Sequence, residues 1–237
     1  MCWSKNVSLG LTIFGLCASY YSYYFIDKLW SVSVFYFTLM QLIHYLGYTV
    51  IDKCDNKLNQ AISYANYIHV SFQPFIYLLG MYGLFKKYNI INRSQLLNLK
   101  GIINFSLIPC ILYLLRLLPI KINERFNYDL QHSNGIWNGK KVCSFSGKKH
   151  IKFMLPLRNK PLYLTPNVFY HFTFFFIPLL YYNNLTRFIN AFIFISAFIP
   201  VILFTISPSE SATIWCANVI FQLMTTAIII INKNKFI

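Results

Sequence analysis

Acidic side chains are nearly missing from this chain. Six Asp and Glu stand against 21 Lys and Arg in 237 residues, and only 11% of the chain is charged. Water-soluble domains carry roughly 25% charged residues, so an ion-studded soluble surface is excluded. The short motifs of common enzyme chemistry are missing too. There is no Gly-x-Ser-x-Gly, no His-Glu-x-x-His, no phosphate-cradling Gly-rich loop and no dinucleotide fingerprint. No Lys lies in the last apolar run to hold retinal. Thiolates together with His150 would suit zinc, but no Cys-x-x-Cys or His-x-x-x-His spacing supports it, and no metal is assigned. No cofactor is identified. Internal repeats of fixed period and low-complexity tracts are absent as well.

What the chain has instead is apolar sequence: 57% hydrophobic residues and 19% aromatic ones. It falls into seven runs, at about 7–25, 29–51, 61–85, 100–118, 168–182, 187–206 and 213–231. Most approach the ~20 residues that a membrane-spanning helix needs. The expectation is an all-α integral membrane bundle of seven transmembrane helices forming a single domain over residues 1–237, with the lipid bilayer as its partner. A cleaved signal peptide competes for the first run, with Lys5 as its charged start and Cys17-Ala18-Ser19 near a cleavage site. Continuation of the run through Tyr20–Phe25 favours a retained helix. The net charge of +15 does not call for nucleic acid, because the basic residues sit mainly between the runs. The long polar loop 119–167 holds nine of them, and within it Ile151–Leu157 reads as a short interfacial segment. Among the short loops, Lys28, Lys86, Lys87, Arg93, Lys100, Arg187, Lys233 and Lys235 share one side, and Lys5, Lys53 and Lys57 the other. The positive-inside rule then puts the N terminus outside or in a lumen and the C terminus in the cytosol.

The stretch Asp52–Pro74 carries the densest functional signal. Asn66, His69 and Gln73 follow the i, i+3, i+7 spacing of one helix face inside a run that should cross lipid. Polar groups there are costly, so they turn toward a partner or a cavity. Gln41, His44 and Tyr48 form a similar stripe on the second run, His171 lies in the fifth, and Asn218, Gln222 and Thr226 stack on the seventh. Asn66, His69, Gln73, His171, Asn218 and Gln222 are therefore candidates for an interior ligand site, with plain interhelical hydrogen bonding as the alternative. Four cysteines, Cys2, Cys54, Cys143 and Cys216, fall at one membrane face, where three disulfide pairings are open if the face is oxidising, with free thiols on a reducing face as the alternative. Asp52, His150, Glu210 and Trp215 fall at the same face and make a candidate outer site, with helix capping and charge balance as the alternative for the acidic residues. Three readings follow: a membrane protein with an interior small-ligand or lipid site, a membrane enzyme with a site at the N-terminal-side face, or a structural protein of a viral or host membrane.

Several short motifs carry a likeness. They are Met1-Cys-Trp-Ser4, Tyr36-Phe-Thr-Leu-Met40 with Gly47-Tyr48, Asp52-Lys-Cys54 with Asn59, Tyr67-Ile-His-Val-Ser-Phe-Gln-Pro74, Lys149-His-Ile151 and Ala212-Thr-Ile-Trp-Cys216. Together they resemble an uncharacterised family of seven-helix membrane proteins, defined only as a domain of unknown function. The resemblance spans nearly the whole chain, and Gln41, His44 and Lys149 depart from its common Glu, Gln and Trp. It implies a seven-helix membrane fold and no activity.

Overall fold

The computed structural model describes residues 4–117, 141–147, 150–156, 173–204 and 208–233. The chain is mostly helical. Helix α1 (Lys5–Tyr21) runs on into a π-turn at Ser22–Ile26, followed by α2 (Lys28–Thr49), α3 (Lys57–Lys87) and α4 (Arg93–Leu115). A helical segment at 173–176 continues as a 3-10 turn at Ile177–Tyr181, and α5 (Asn184–Phe204) and α6 (Pro208–Ile231) complete the bundle. The polar corners supply the caps. Asp27 accepts from the amide of Trp30, Asn56 from that of Leu58, and Asn92 with Gln95 forms a reciprocal capping box. Pro74 lies inside α3, which continues through it even though proline removes one ladder bond.

Five helices among the described residues are long and apolar enough to cross a membrane: Lys5–Ile26, Lys28–Thr49, Lys57–Lys87, Arg93–Leu115 and Asn184–Leu203. The other two expected spans fall short of that length here. The fifth expected run is described only from 173 and tightens to a 3-10 turn, and the last offers a shorter apolar stretch, Asn218–Ile231. Large apolar side chains face outward along the helices, including Ile13 and Leu16 on α1, Phe105, Ile108 and Ile111 on α4, and Ile195, Ile199 and Ile202 on α5. In water such a surface would be an aggregation hazard; it matches lipid. Exposed Tyr20, Tyr21, Tyr23 and Tyr24 crowd the end of α1 beside Lys28, whose ammonium lies 5.5 Å from the Tyr23 ring centre. Aromatic rings next to a cation mark a membrane–water boundary.

Small residues let α1, α2 and α3 approach closely, as lipid-embedded helices require. Ser19 and Ser31 exchange hydroxyl-to-carbonyl bonds of 3.1 and 2.8 Å. Gly80 of α3 lies against Ser33 and the Trp30 ring of α2, and the Ser33 hydroxyl donates to the Ile76 carbonyl at 2.6 Å. An apolar core around Trp30, Phe37, Leu78, Met81 and Leu84 fills one half of the bundle. A second, around Met40, Ile62, Tyr67 and Tyr113, fills the other.

Among the described residues, one element is not helical. Strands β1 (Cys143–Ser146) and β2 (Ile151–Met154) pair antiparallel, with Cys143 opposite Met154 and Ser146 opposite Ile151. The expected interfacial segment is thus a strand. Its sequence alternates, so Ile151, Phe153 and Leu155 all turn inward and are fully buried. The Ile151 side chain reaches the open flank of Gly47, where a Cβ would come within 2.8 Å of it. The hairpin therefore closes the end of the bundle formed by α2, α3 and α6.

Five attachments hold it there, the first being the Asp52 amide, which donates to the Ser144 carbonyl at 3.1 Å. The side chain of buried Asn59 donates to the carbonyls of Val50 and Ser144 and accepts from the Ser144 amide, each at 2.8 Å. Both carboxylate oxygens of Asp52 accept from Ser146, from its amide at 2.8 Å and its hydroxyl at 2.6 Å. Thr213 of α6 donates to the Ile151 carbonyl at 3.1 Å. A disulfide joins Cys54 to Cys143. Asp52 takes up a left-handed backbone (φ 64°) to make its contacts, a region that Asp tolerates better than most residues.

Candidate functional site

Helices α2 and α3 run antiparallel, and their facing residues set the site. The rings of Tyr36 and His69 stack with centroids 4.1 Å apart. The Tyr36 hydroxyl donates to the His69 carbonyl at 2.6 Å, and His69 Nε2 lies 2.6 Å from the Tyr36 carbonyl. A carbonyl can only accept, so Nε2 carries the imidazole proton and Nδ1 is an acceptor. Gln73, one turn further along α3, places its Nε2 3.4 Å from that Nδ1 and 3.6 Å from the thiol of Cys216 on α6. Gln41 of α2 donates to the Cys216 carbonyl at 2.7 Å. Tyr36, His69, Gln73, Cys216 and Gln41 form one hydrogen-bonded chain across three helices.

Several polar atoms in the same region have no partner among the described residues. They are Gln41 Oε1, both ring nitrogens of His44, both polar atoms of the Asn66 amide, and Gln73 Oε1. All four residues are completely buried. The α2–α3 register, with Tyr36 on His69 and Gly47 on Ile62, puts Asn66 at the level of Gln41. Leaving a buried donor or acceptor unmatched costs about 1–3 kcal/mol. Six such atoms would offset most of the about 5–15 kcal/mol of net stability of an ordinary fold.

The hairpin closes this centre from one end. His150 packs edge-on against His44 at 5.1 Å, and the Phe153 ring lies over His44 at 5.6 Å. His44 also lies within electrostatic range of His69, so three imidazoles line the interior from the hairpin inward. Tyr48 is the other ionisable ring beside His150, at 6.1 Å. His150 Nδ1 accepts the Ile151 amide at 2.8 Å. Burial holds its pKa down at about 4. The folded value lies below the unfolded one near 6.5, so acid protonates the unfolded chain first. Stability is full above pH 6.5 and is lost as pH falls toward 4. We expect about 2 kcal/mol of it to be lost between pH 7 and pH 5, measured by thermal unfolding in detergent. A His150→Gln protein should flatten that slope; an unchanged slope would assign it to other groups.

The structure sorts the residues expected from sequence. Asn66, His69 and Gln73 share one region with Gln41 and His44, and Cys216 joins them. Asn218 and Gln222 do not: Asn218 donates to the Ile214 carbonyl of its own helix at 3.4 Å, and Gln222 donates to Ser196 of α5 at 3.0 Å. Their stripe faces the α5 side of α6. The described members of the outer cluster have separate partners. Exposed Asp52 is engaged by Ser146, His150 is buried against His44, and Trp215 is buried edge-on to Phe175 at 5.1 Å in the main core. Of the four cysteines, Cys54 and Cys143 are bonded, and Cys216 is a buried thiol outside any disulfide. Cys2, His171 and the Glu210 side chain lie outside the described residues. No group of three or more His, Cys, Asp or Glu among the described residues is placed to hold a metal. Tyr36 and Asn59 were missed as organising residues. Their signal was faint: a Tyr facing the His69 stripe, and an Asn in the first turn of a helix.

The sequence profile of a family of unknown function (DUF5765) matches residues 6–236. No curated protein and no solved structure matches the chain.

Proposed function

We propose that this chain, which belongs to the DUF5765 family of unknown function, is a seven-span integral membrane protein that binds a small polar ligand inside its bundle. The site is walled by α2, α3 and α6 and closed at one end by the hairpin. One observation carries the reading: Gln41, His44, Asn66 and Gln73 are fully buried, yet the two glutamine oxygens, the Asn66 amide and the His44 ring nitrogens find no partner among the described residues. Buried polar groups in folded proteins are almost always satisfied, and ligand sites bring a few polar groups together within apolar walls.

The proposed orientation puts the hairpin outside. Disulfides persist on oxidising faces, and Cys54–Cys143 lies at the hairpin end. Lys28, Lys87 and Lys233 gather at the opposite end, where Lys87 donates to the Ile26 carbonyl and Lys233 to that of Tyr88. That side would be cytosolic under the positive-inside rule.

The test is native mass spectrometry of the protein extracted from its own membranes. We expect a small molecule to be released from the wild type and to be missing from Asn66→Leu, with helical circular dichroism retained. A bare polypeptide mass for both proteins, with Asn66→Leu the more heat-resistant, would mean that the interior is merely structural.

A further inference from the structure

We propose that the buried site takes a small neutral ligand richer in N–H donors than in acceptors, of the urea or primary carboxamide class. This rests on the reading that the interior binds a ligand, and says which chemistry it recognises.

The argument turns on which end of each amide is already committed. Gln41 faces the Cys216 carbonyl at 2.7 Å. Two oxygens would repel there, so the nitrogen end must be the one that points at Cys216. The orientation of Gln73 is fixed in the same way. His69 Nε2 donates to a carbonyl, its Nδ1 therefore accepts, and only the NH2 end of Gln73 can serve it. The same NH2 group approaches the Cys216 thiol. The two amide oxygens are thus left over as acceptors, on two glutamines that both hold Cys216.

The two other unmatched residues add to this imbalance. Asn66, three residues before His69 on the same α3 face, offers one oxygen and one NH2 group. A neutral His44 ring offers one accepting nitrogen and one N–H. The acceptors are Gln41 Oε1, Gln73 Oε1, Asn66 Oδ1 and one His44 nitrogen. The donors are the Asn66 amide nitrogen and the other His44 nitrogen. Four acceptor atoms, three of them carbonyl oxygens that can each take two bonds, stand against two donor nitrogens that carry three N–H bonds.

The charge of the surroundings narrows the class further. Amides, imidazoles, a thiol and the half-buried Tyr36 ring meet in this region, and apart from Tyr36 all are on fully or nearly fully buried residues. An ion there would meet no opposite charge among these side chains, and burying a bare charge costs far more than burying a dipole. A polyol brings at least as many lone pairs as hydroxyl protons and leaves the amide oxygens in competition for donors. Urea offers four N–H bonds against a single carbonyl, the complement of the residues present.

The experiment is equilibrium dialysis of the protein in nanodiscs against radiolabelled urea and acetamide, with glycerol and ammonium as competitors. We expect saturable binding of urea and acetamide, weakened about tenfold in Asn66→Leu, which is roughly the loss of one hydrogen bond. Asn218→Leu should bind as the wild type does, since Asn218 bonds only within its own helix. Should Asn66→Leu not fold, Gln73→Met deletes one of the acceptor oxygens and carries the same expectation. Asn66-dependent displacement by glycerol or ammonium in preference to the amides would overturn the chemical class and leave the interior ligand site standing. Absence of saturable binding by any of the four, in a wild type that native mass spectrometry shows free of ligand, would overturn both.

Discussion

Replacing Asn59 with Leu should release the hairpin and cost about 3–5 kcal/mol of stability. Asn59 makes three bonds of 2.8 Å, one to Val50 and two to Ser144, and it is completely buried. It satisfies both the amide and the carbonyl of Ser144, standing in for a neighbouring strand at the edge of a two-stranded sheet. A two-stranded hairpin is marginal on its own, and losing this edge leaves the buried Ser144 amide without a partner, while the Ser144 and Val50 carbonyls keep the amides of Asp52 and Lys53. Leu matches the size of Asn closely, so the effect is one of lost bonds more than lost packing. The check is a pair of measurements: the thermal midpoint in detergent, and protease sensitivity of the chain between β1 and β2. An unchanged midpoint and an uncleaved hairpin would mean that the disulfide and Asp52 hold the element without Asn59.

The second large effect is expected at the disulfide. Cys54 and Cys143 are 89 residues apart, and closing a loop of that length lowers the entropy of the unfolded chain by the equivalent of about 4–5 kcal/mol at most. Cys143→Ser should therefore lose a large part of the stability while leaving the Asn59 and Asp52 attachments in place. It should also leave Cys54 as a free thiol. In a Cys2→Ser background, an impermeant maleimide applied to intact cells should label Cys143→Ser and should fail on the parent until it is reduced. Labelling of Cys54 only after the cytosolic side is opened would overturn the proposed orientation. The two experiments act on different attachments of one element. If hairpin docking is cooperative, the double variant Asn59→Leu/Cys143→Ser should lose less than the two single losses combined, because each removes the same docked state.

The interior raises a different question from the hairpin. In lipid, a polar side chain that faces another helix can be plain structural bonding, and Gln222 with Ser196 fits that description. The residues around His69 do not, because Gln41 and Gln73 are each oriented by bonds from their nitrogen that leave the oxygen without a partner among the described residues. The chemistry left over matters more than the number of polar residues, and it makes the α2–α3–α6 centre rather than the α5–α6 contact the candidate site.

Much of this was legible in the residues themselves. Apolar runs of spanning length, scarce charge and basic loops follow from composition and from spacing along one segment, so the helical membrane class could be read directly. The shared face of Asn66, His69 and Gln73 was equally local, since helical periodicity fixes it whatever the neighbours are. The alternation of Ile151, Phe153 and Leu155 was also present, but it was obscured by its place in a long basic stretch.

Tertiary structure alone decided the rest. Cys54 chooses Cys143, Asn59 clamps Ser144 across 85 residues, and the Asn218–Gln222 stripe turns toward α5 instead of His69. None of these is set by a residue type or a local period. Each depends on which helix faces which and at what rotation, and in lipid that is settled by close packing of small residues such as Gly80 against Ser33. The same holds for the amide oxygens of Gln41 and Gln73. A glutamine has two chemically opposite ends, and only its neighbours determine which one is left free.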